Sequence, residues 1–150
     1  MAASYIIHTP ENVKFVRISG TTNYRELEAL FYEYVRDPEF RPDMRILADL
    51  REMTDAVAGL LEILRLKKLY QYAYRDAVGA VDVVIVAKKG IAYRAARTFK
   101  LFMFDRKPLN ILITQDLGHA QEILGLSSYM LAQMQQETAA TKAPTLKLVP

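Results

Sequence analysis

Cysteine is absent from the 150 residues. That excludes disulfide staples, thiolate catalysis, iron–sulfur clusters and cysteine-based zinc sites. It also fits a reducing compartment, and a cytoplasmic protein is the expectation. Glycine occurs six times, and the chain contains neither a G-x-G-x-x-G nor a G-x-x-x-x-G-K-[ST] sequence, so the usual phosphate-cradling loops are missing. Serine occurs only at positions 4, 19, 127 and 128, and histidine only as His8 and His119. No apolar run approaches the roughly 18 residues a membrane-spanning helix needs. The opening "MAASYIIHTPEN" lacks a basic stretch followed by a long apolar one, so no secretory leader is expected.

What the chain does hold is an ordinary globular composition. Hydrophobic residues make up 51% and charged residues 25%, which suits one domain with a real core rather than a disordered chain. The net charge of +3 is mild. Nucleic-acid binding needs a basic face, not a slightly basic balance, and no nucleic-acid partner is expected.

Hydrophobic periodicity predicts the elements. Tyr5 to His8 and Val13 to Ser19 read as strands around the break at Pro10 to Asn12, with Gly20 as the end of the second. "TTNYRELEALFYEYV" reads as a helix capped by Thr22 or Asn23. "RDPEFRPDM" breaks the chain, and "RILADL" is a buried-type strand. Asp55 to Ala77 reads as a long helix with Leu60, Leu61, Leu64 and Tyr72 inward. "VDVVIVA" is the most apolar strand. "IAYRAARTFKLFMF" is a helix whose Ala92, Ala95 and Ala96 allow a close approach to a sheet. "LNILIT" is a strand, and Asp116 caps a helix beyond it. "LSSYMLAQMQQE" continues as helix or begins a second one, within a single domain over residues 1–138. A loose tail is expected over 139–150. The order β-β-α-β-α-β-α-β-α argues for an α/β fold with a mostly parallel central sheet and an antiparallel opening edge.

This order and its junctions resemble the SpoIIAA-like branch of the STAS superfamily. The matching stretches are "VRISG", "DPEFRPDMRILADLREMT", "VDVVIVAKKGIAYRAARTF" and "HAQEILG", so the resemblance spans roughly Tyr5 to Gly125. Its most specific parts are Asp49–Leu50 after the third strand and the helix from Tyr93 to Arg97. The resemblance implies a SpoIIAA-like α/β domain that acts by binding. The better-known members are anti-sigma-factor antagonists, switched by phosphorylation of a serine just after an aspartate at the start of the second helix. The family's aspartate–serine–serine–glycine is here Asp55, Ala56, Val57, Ala58 and Gly59, so the acceptor serine has no counterpart. Thr54 precedes Asp55 and is offset from the acceptor position. Asp49, Thr54, Asp55 and Ala56 thus form a switch-equivalent turn without its phosphorylatable serine.

Candidate chemistry is sparse. Asp49 ends an apolar run where open α/β sheets place their sites, and could be a catalytic acid, a metal ligand, a phosphoryl acceptor or a cap. A receiver-type phosphoryl site needs further acids on neighbouring strand ends. Here those ends offer "RISG", Lys88 with Lys89, and Thr114 followed by Asp116. Asp49 therefore reads as a turn-fixing residue bonded to amides of "LREMT". His8 and His119 accompany no nucleophile or metal motif. Lys88, Lys89, Arg94 and Arg97 surround a helix start and could hold an anion or a lipid headgroup. The tyrosines of "LRLKKLYQYAYRDA" cannot form one stacking row on a helix, and exposed ones suit a protein interface. Tyr129, Met130 and Met134 form a second candidate contact. The expectation is a non-catalytic binding or regulatory module with no cofactor and no metal, acting through a protein partner or self-association. The alternative is a protein that binds a small anionic or lipid ligand.

Overall fold

The computed structural model describes residues 2–57, 60–77, 79–103 and 109–137. Five strands form one sheet in the order β1-β2-β3-β4-β5. They are β1 (Ala2–His8), β2 (Val13–Asn23), β3 (Arg45–Val57), β4 (Val81–Val86) and β5 (Leu109–Thr114). Only the β1–β2 pair is antiparallel. The β1–β2 connection is a short 3-10 turn over Thr9–Glu11. It closes on Asn12 at φ 51, in the left-handed region that asparagine tolerates better than most residues.

The helices are α1 (Tyr24–Val35), α2 (Leu60–Ala73), α3 (Ile91–Met103), α4 (Leu117–Leu124) and α5 (128–137). Strand alternation sorts the core into two layers. On the first face Val16, Ile18, Ile46, Leu50, Val83 and Ile85 meet Leu30 of α1, Tyr74 just beyond α2, and Ala92, Ala96 and Met103 of α3. On the second, Val13, Phe15, Leu47, Val84 and Val86 meet Ala120 and Leu124 of α4 and Leu131 and Met134 of α5. Burying each large aliphatic contributes about 1.5–3 kcal/mol before conformational entropy is counted. Ala92 and Ala96 let α3 approach the sheet, as their small size suggests. Arg45 ties the layers' edge together. Its guanidinium donates to the carbonyls of Leu124 (2.6 Å) and Glu11 (2.7 Å), a cation at the carbonyl end of α4, where the helix dipole favours it.

Three expected boundaries are corrected. Gly20 does not end β2. It takes φ 74 at a register irregularity between β2 and β3, and the strand continues to Asn23. The strand "RILADL" runs on through "REMTDAV", because Thr21, Thr22 and Asn23 pair with Asp55, Ala56 and Val57. α2 is therefore shorter than Asp55 to Ala77 and begins at Leu60. Its phase differs too. Ile63, Leu66 and Tyr70 turn toward the first face, while Leu61 and Tyr72 are 73% and 64% exposed. The leucines suggested one stripe, and the aromatics deeper in the segment settle another. Gly59 and the tail 139–150 lie outside the described residues.

α1 starts at Asn23, whose Oδ1 accepts the Glu26 amide at 3.0 Å. Thr22, the other expected cap, is instead a buried strand residue whose Oγ1 has no hydrogen-bond partner. The two neighbours should thus respond in opposite directions. Asn23→Ala should lose about 1 kcal/mol. Thr22→Val, which removes an unsatisfied buried hydroxyl at nearly constant shape, should be neutral or stabilising. Urea denaturation of both variants checks this.

Candidate functional site

Between the first face of the sheet and α1, α2 and α3 lies a cavity of about 460 Å³. Its floor includes Val16, Ile18, Ile46, Ala48, Val83 and Ile85, and its roof Leu27, Leu30, Ile63, Leu66, Ala95 and Phe99. The volume falls in the roughly 300–1,000 Å³ range of small-molecule sites. The alanines Ala48, Ala95 and Ala96 line it; larger side chains there would occupy part of the space. Thr22, Glu62 and Arg94 also line it. These belong to the end of β2 and the first turns of α2 and α3, so the polar part of the wall stands where the parallel strands finish, the usual ligand side of an open α/β sheet. Arg94 and Ile91 are exposed and mark the rim.

The opposite end is aromatic. Phe31, Tyr34 and Phe40 from α1 and the segment after it meet Tyr70 and Tyr74, with ring centroids 5.2–6.1 Å apart. Edge-to-face contacts dominate, as ring quadrupoles favour. Enclosed by these rings is Lys14 of β2, 1% exposed. Its Nζ lies 3.0 Å from the centroid of Tyr34 and donates to Tyr74 Oη at 3.4 Å. Among the described residues no carboxylate pairs with it. A desolvated cation–π contact contributes about 2 kcal/mol, against a cost of several kcal/mol for burying an unpaired ammonium. Desolvation therefore wins, and burial pushes the amine well below the ordinary lysine range. Burial likewise raises the Tyr34 and Tyr74 phenols well above their usual value, so both stay protonated.

The residues expected to form a switch-equivalent turn are elsewhere. Asp49 is 2% exposed in the middle of β3, on the second face, and fixes no turn. It does accept a backbone amide, that of Arg51 at 3.1 Å. The Arg51 guanidinium takes both carboxylate oxygens at 2.9 and 3.0 Å, a forked pairing that leaves the acid structural. Thr54 and Asp55 are exposed and, with Ala56, belong to the same strand rather than a helix start. Lys88, Lys89, Arg94 and Arg97 are all exposed near the start of α3, but only Arg94 borders the cavity. His119 Nδ1 lies 3.1 Å from Thr114 Oγ1, and Asp116 caps α4 through the Gly118 amide. The Nδ1 of His8 is buried without a hydrogen-bond partner, while the residue as a whole is half-buried.

No motif in the sequence singles out Lys14, which stands in a strand where Val13, Phe15 and Arg17 alternate imperfectly with Lys14, Val16 and Ile18. The signal was its company. Lys14, Val16 and Ile18 share a face, and that face is covered by helices because β2 is an inner strand.

These elements define a SpoIIAA-like α/β fold. One solved structure that the chain resembles is that of an uncharacterized protein from the DUF3478 family with a SpoIIAA-like fold, from Shewanella loihica PV-4. It matches with a TM-score of 0.54 at 15% identity, over 82% of this chain and 94% of that one. At that identity the likeness shows the fold alone. No family model and no curated protein matches the chain.

The lysine has a pH signature. The unfolded chain protonates Lys14 up to about pH 10.4, whereas the folded chain holds it neutral over the upper part of that range. Stability should therefore rise with pH between the two values, by at most about 1.4 kcal/mol per unit. Lys14→Met should be more stable than the parent at pH 7, with the gap narrowing toward pH 9.5. Chemical denaturation at several pH values, kept below the onset of tyrosine ionisation, measures it.

Proposed function

We propose that this protein is a non-catalytic binding module whose ligand is a small apolar or amphipathic molecule held between the sheet and α1, α2 and α3. The observation that carries this reading is the 460 Å³ cavity with a predominantly apolar wall. An apolar concavity of that size, open at the Arg94 rim, leaves its lining side chains with packing partners on one side only. Filling it with a ligand restores the dispersion contacts. The anion site expected around Lys88, Lys89, Arg94 and Arg97 contracts in this reading to Arg94, which meets the cavity at its rim and favours a carboxylate or phosphate end on the ligand.

A protein-contact reading stands second. It is supported by Leu61, Tyr72, Leu101 and Tyr129, each more than 60% exposed, since exposed aromatics and leucines on helices suit interfaces. Among the described residues no helix is long and apolar enough to cross a membrane, and no group of acidic, histidine or cysteine side chains could hold a metal ion.

Calorimetric titration and melting curves with decanol and decanoic acid test the first reading. Both should bind and raise the melting temperature, by a stabilisation of about 2.7 kcal/mol at a hundred-fold excess over Kd. Ala95→Phe should fill the cavity and abolish both responses while the chain stays folded. Arg94→Gln should weaken decanoate at least five-fold and leave decanol unchanged, and Lys88→Gln should change neither. Failure of both probes with the parent protein overturns the cavity reading.

A further inference from the structure

Lys14 is an unused nucleophile beside an apolar space. Its amine is enclosed, has no carboxylate partner among the described residues, and touches a phenol. Tyr34 is the wall shared by both compartments, since it lines the cavity and also stacks against Nζ. Surface lysines are protonated at neutral pH and hold no free lone pair, whereas desolvation shifts a buried amine toward its neutral, nucleophilic form. Resting on the cavity reading above, we infer that Lys14 is a covalent capture site for an aliphatic aldehyde that enters the cavity and reaches Nζ when the Tyr34 ring turns aside.

The chemistry closes without an oxidant or a metal. The Nζ lone pair attacks the carbonyl carbon, forming a C–N bond as the carbonyl π pair moves to oxygen. One amine proton passes to that oxygen, giving a carbinolamine. Tyr74 Oη, 3.4 Å from Nζ, relays the remaining N–H proton to the departing hydroxyl, giving up its own proton as it takes that one. Water leaves as the nitrogen lone pair forms C=N, and the phenol is protonated before and after. The net change is an amine and an aldehyde converted to an imine and one water. The predominantly apolar cavity wall disfavours the back-reaction by limiting water.

The test uses the full chain at pH 7.5 with decanal and sodium cyanoborohydride, which fixes an imine as a stable decyl amine. Peptide mass spectrometry then locates the adduct. Lys14 should be alkylated at least ten-fold faster than the exposed Lys68, Lys88 and Lys89. Excess decanol should slow labelling at Lys14 alone, and Tyr34→Leu should accelerate it. Labelling confined to the exposed lysines, in a protein that still binds decanol, overturns the inference and leaves the cavity reading standing. Absence of decanol binding together with labelling confined to those lysines overturns both. Lys14→Met, which keeps the cavity wall, should bind decanol as the parent does and lose the buried adduct. Should Tyr34→Leu fail to fold, the decanol competition in the parent protein still decides the matter.

Discussion

The sheet has to be covered on both faces, because its three inner strands carry apolar side chains on each side. The cover is uneven. On the second face α4 and α5 place Ala120, Leu124, Leu131 and Met134 against Val13, Phe15, Leu47, Val84 and Val86. On the first, three helices span the sheet, and several of the residues they turn inward are alanines. Small residues bring α3 close to the strands but cannot also fill the centre between α1, α2 and α3. The cavity follows from that conflict between close approach and volume.

The same face explains the lysine. β2 enters the sheet between β1 and β3, so even its first residues are covered. Lys14 is on the side that α1 closes, and the rings of Tyr34, Phe40 and Tyr74 take the place that aliphatic side chains hold farther along the strand. A methionine would pack there at lower electrostatic cost. The aromatic enclosure and the Tyr74 hydroxyl are what make a buried amine tolerable. They also give it a different chemistry from the exposed lysines before α3.

The fold was legible in the sequence, and the site only in fragments. Strand and helix order followed from periodicity, as did the cap at Asp116 and the close-packing alanines of α3. "REMTDAV" was not legible, because its polar residues look like a loop until pairing with Thr21 to Asn23 makes them a strand. That extension moves Asp49 from a strand end to a strand centre, where Arg51 neutralises it. The phase of α2 failed for a related reason. Leu61 and Ile63 are equally good core residues by composition, and tertiary packing chose the latter. The cavity left no mark in the sequence, since empty space is a property of three helices together. Arg94 was visible as one of four cations, but nothing in the order of residues said which of the four would meet the interior.

The apolar space under α1, α2 and α3 is the feature from which the binding reading and the reactive lysine both follow. Crystals pressurised with xenon probe it directly, because xenon binds in apolar cavities. An anomalous peak bounded by Leu27, Leu66 and Phe99 is the expected result. Helices closed onto Val16, Ile46 and Val83, with no xenon between them, would contradict it.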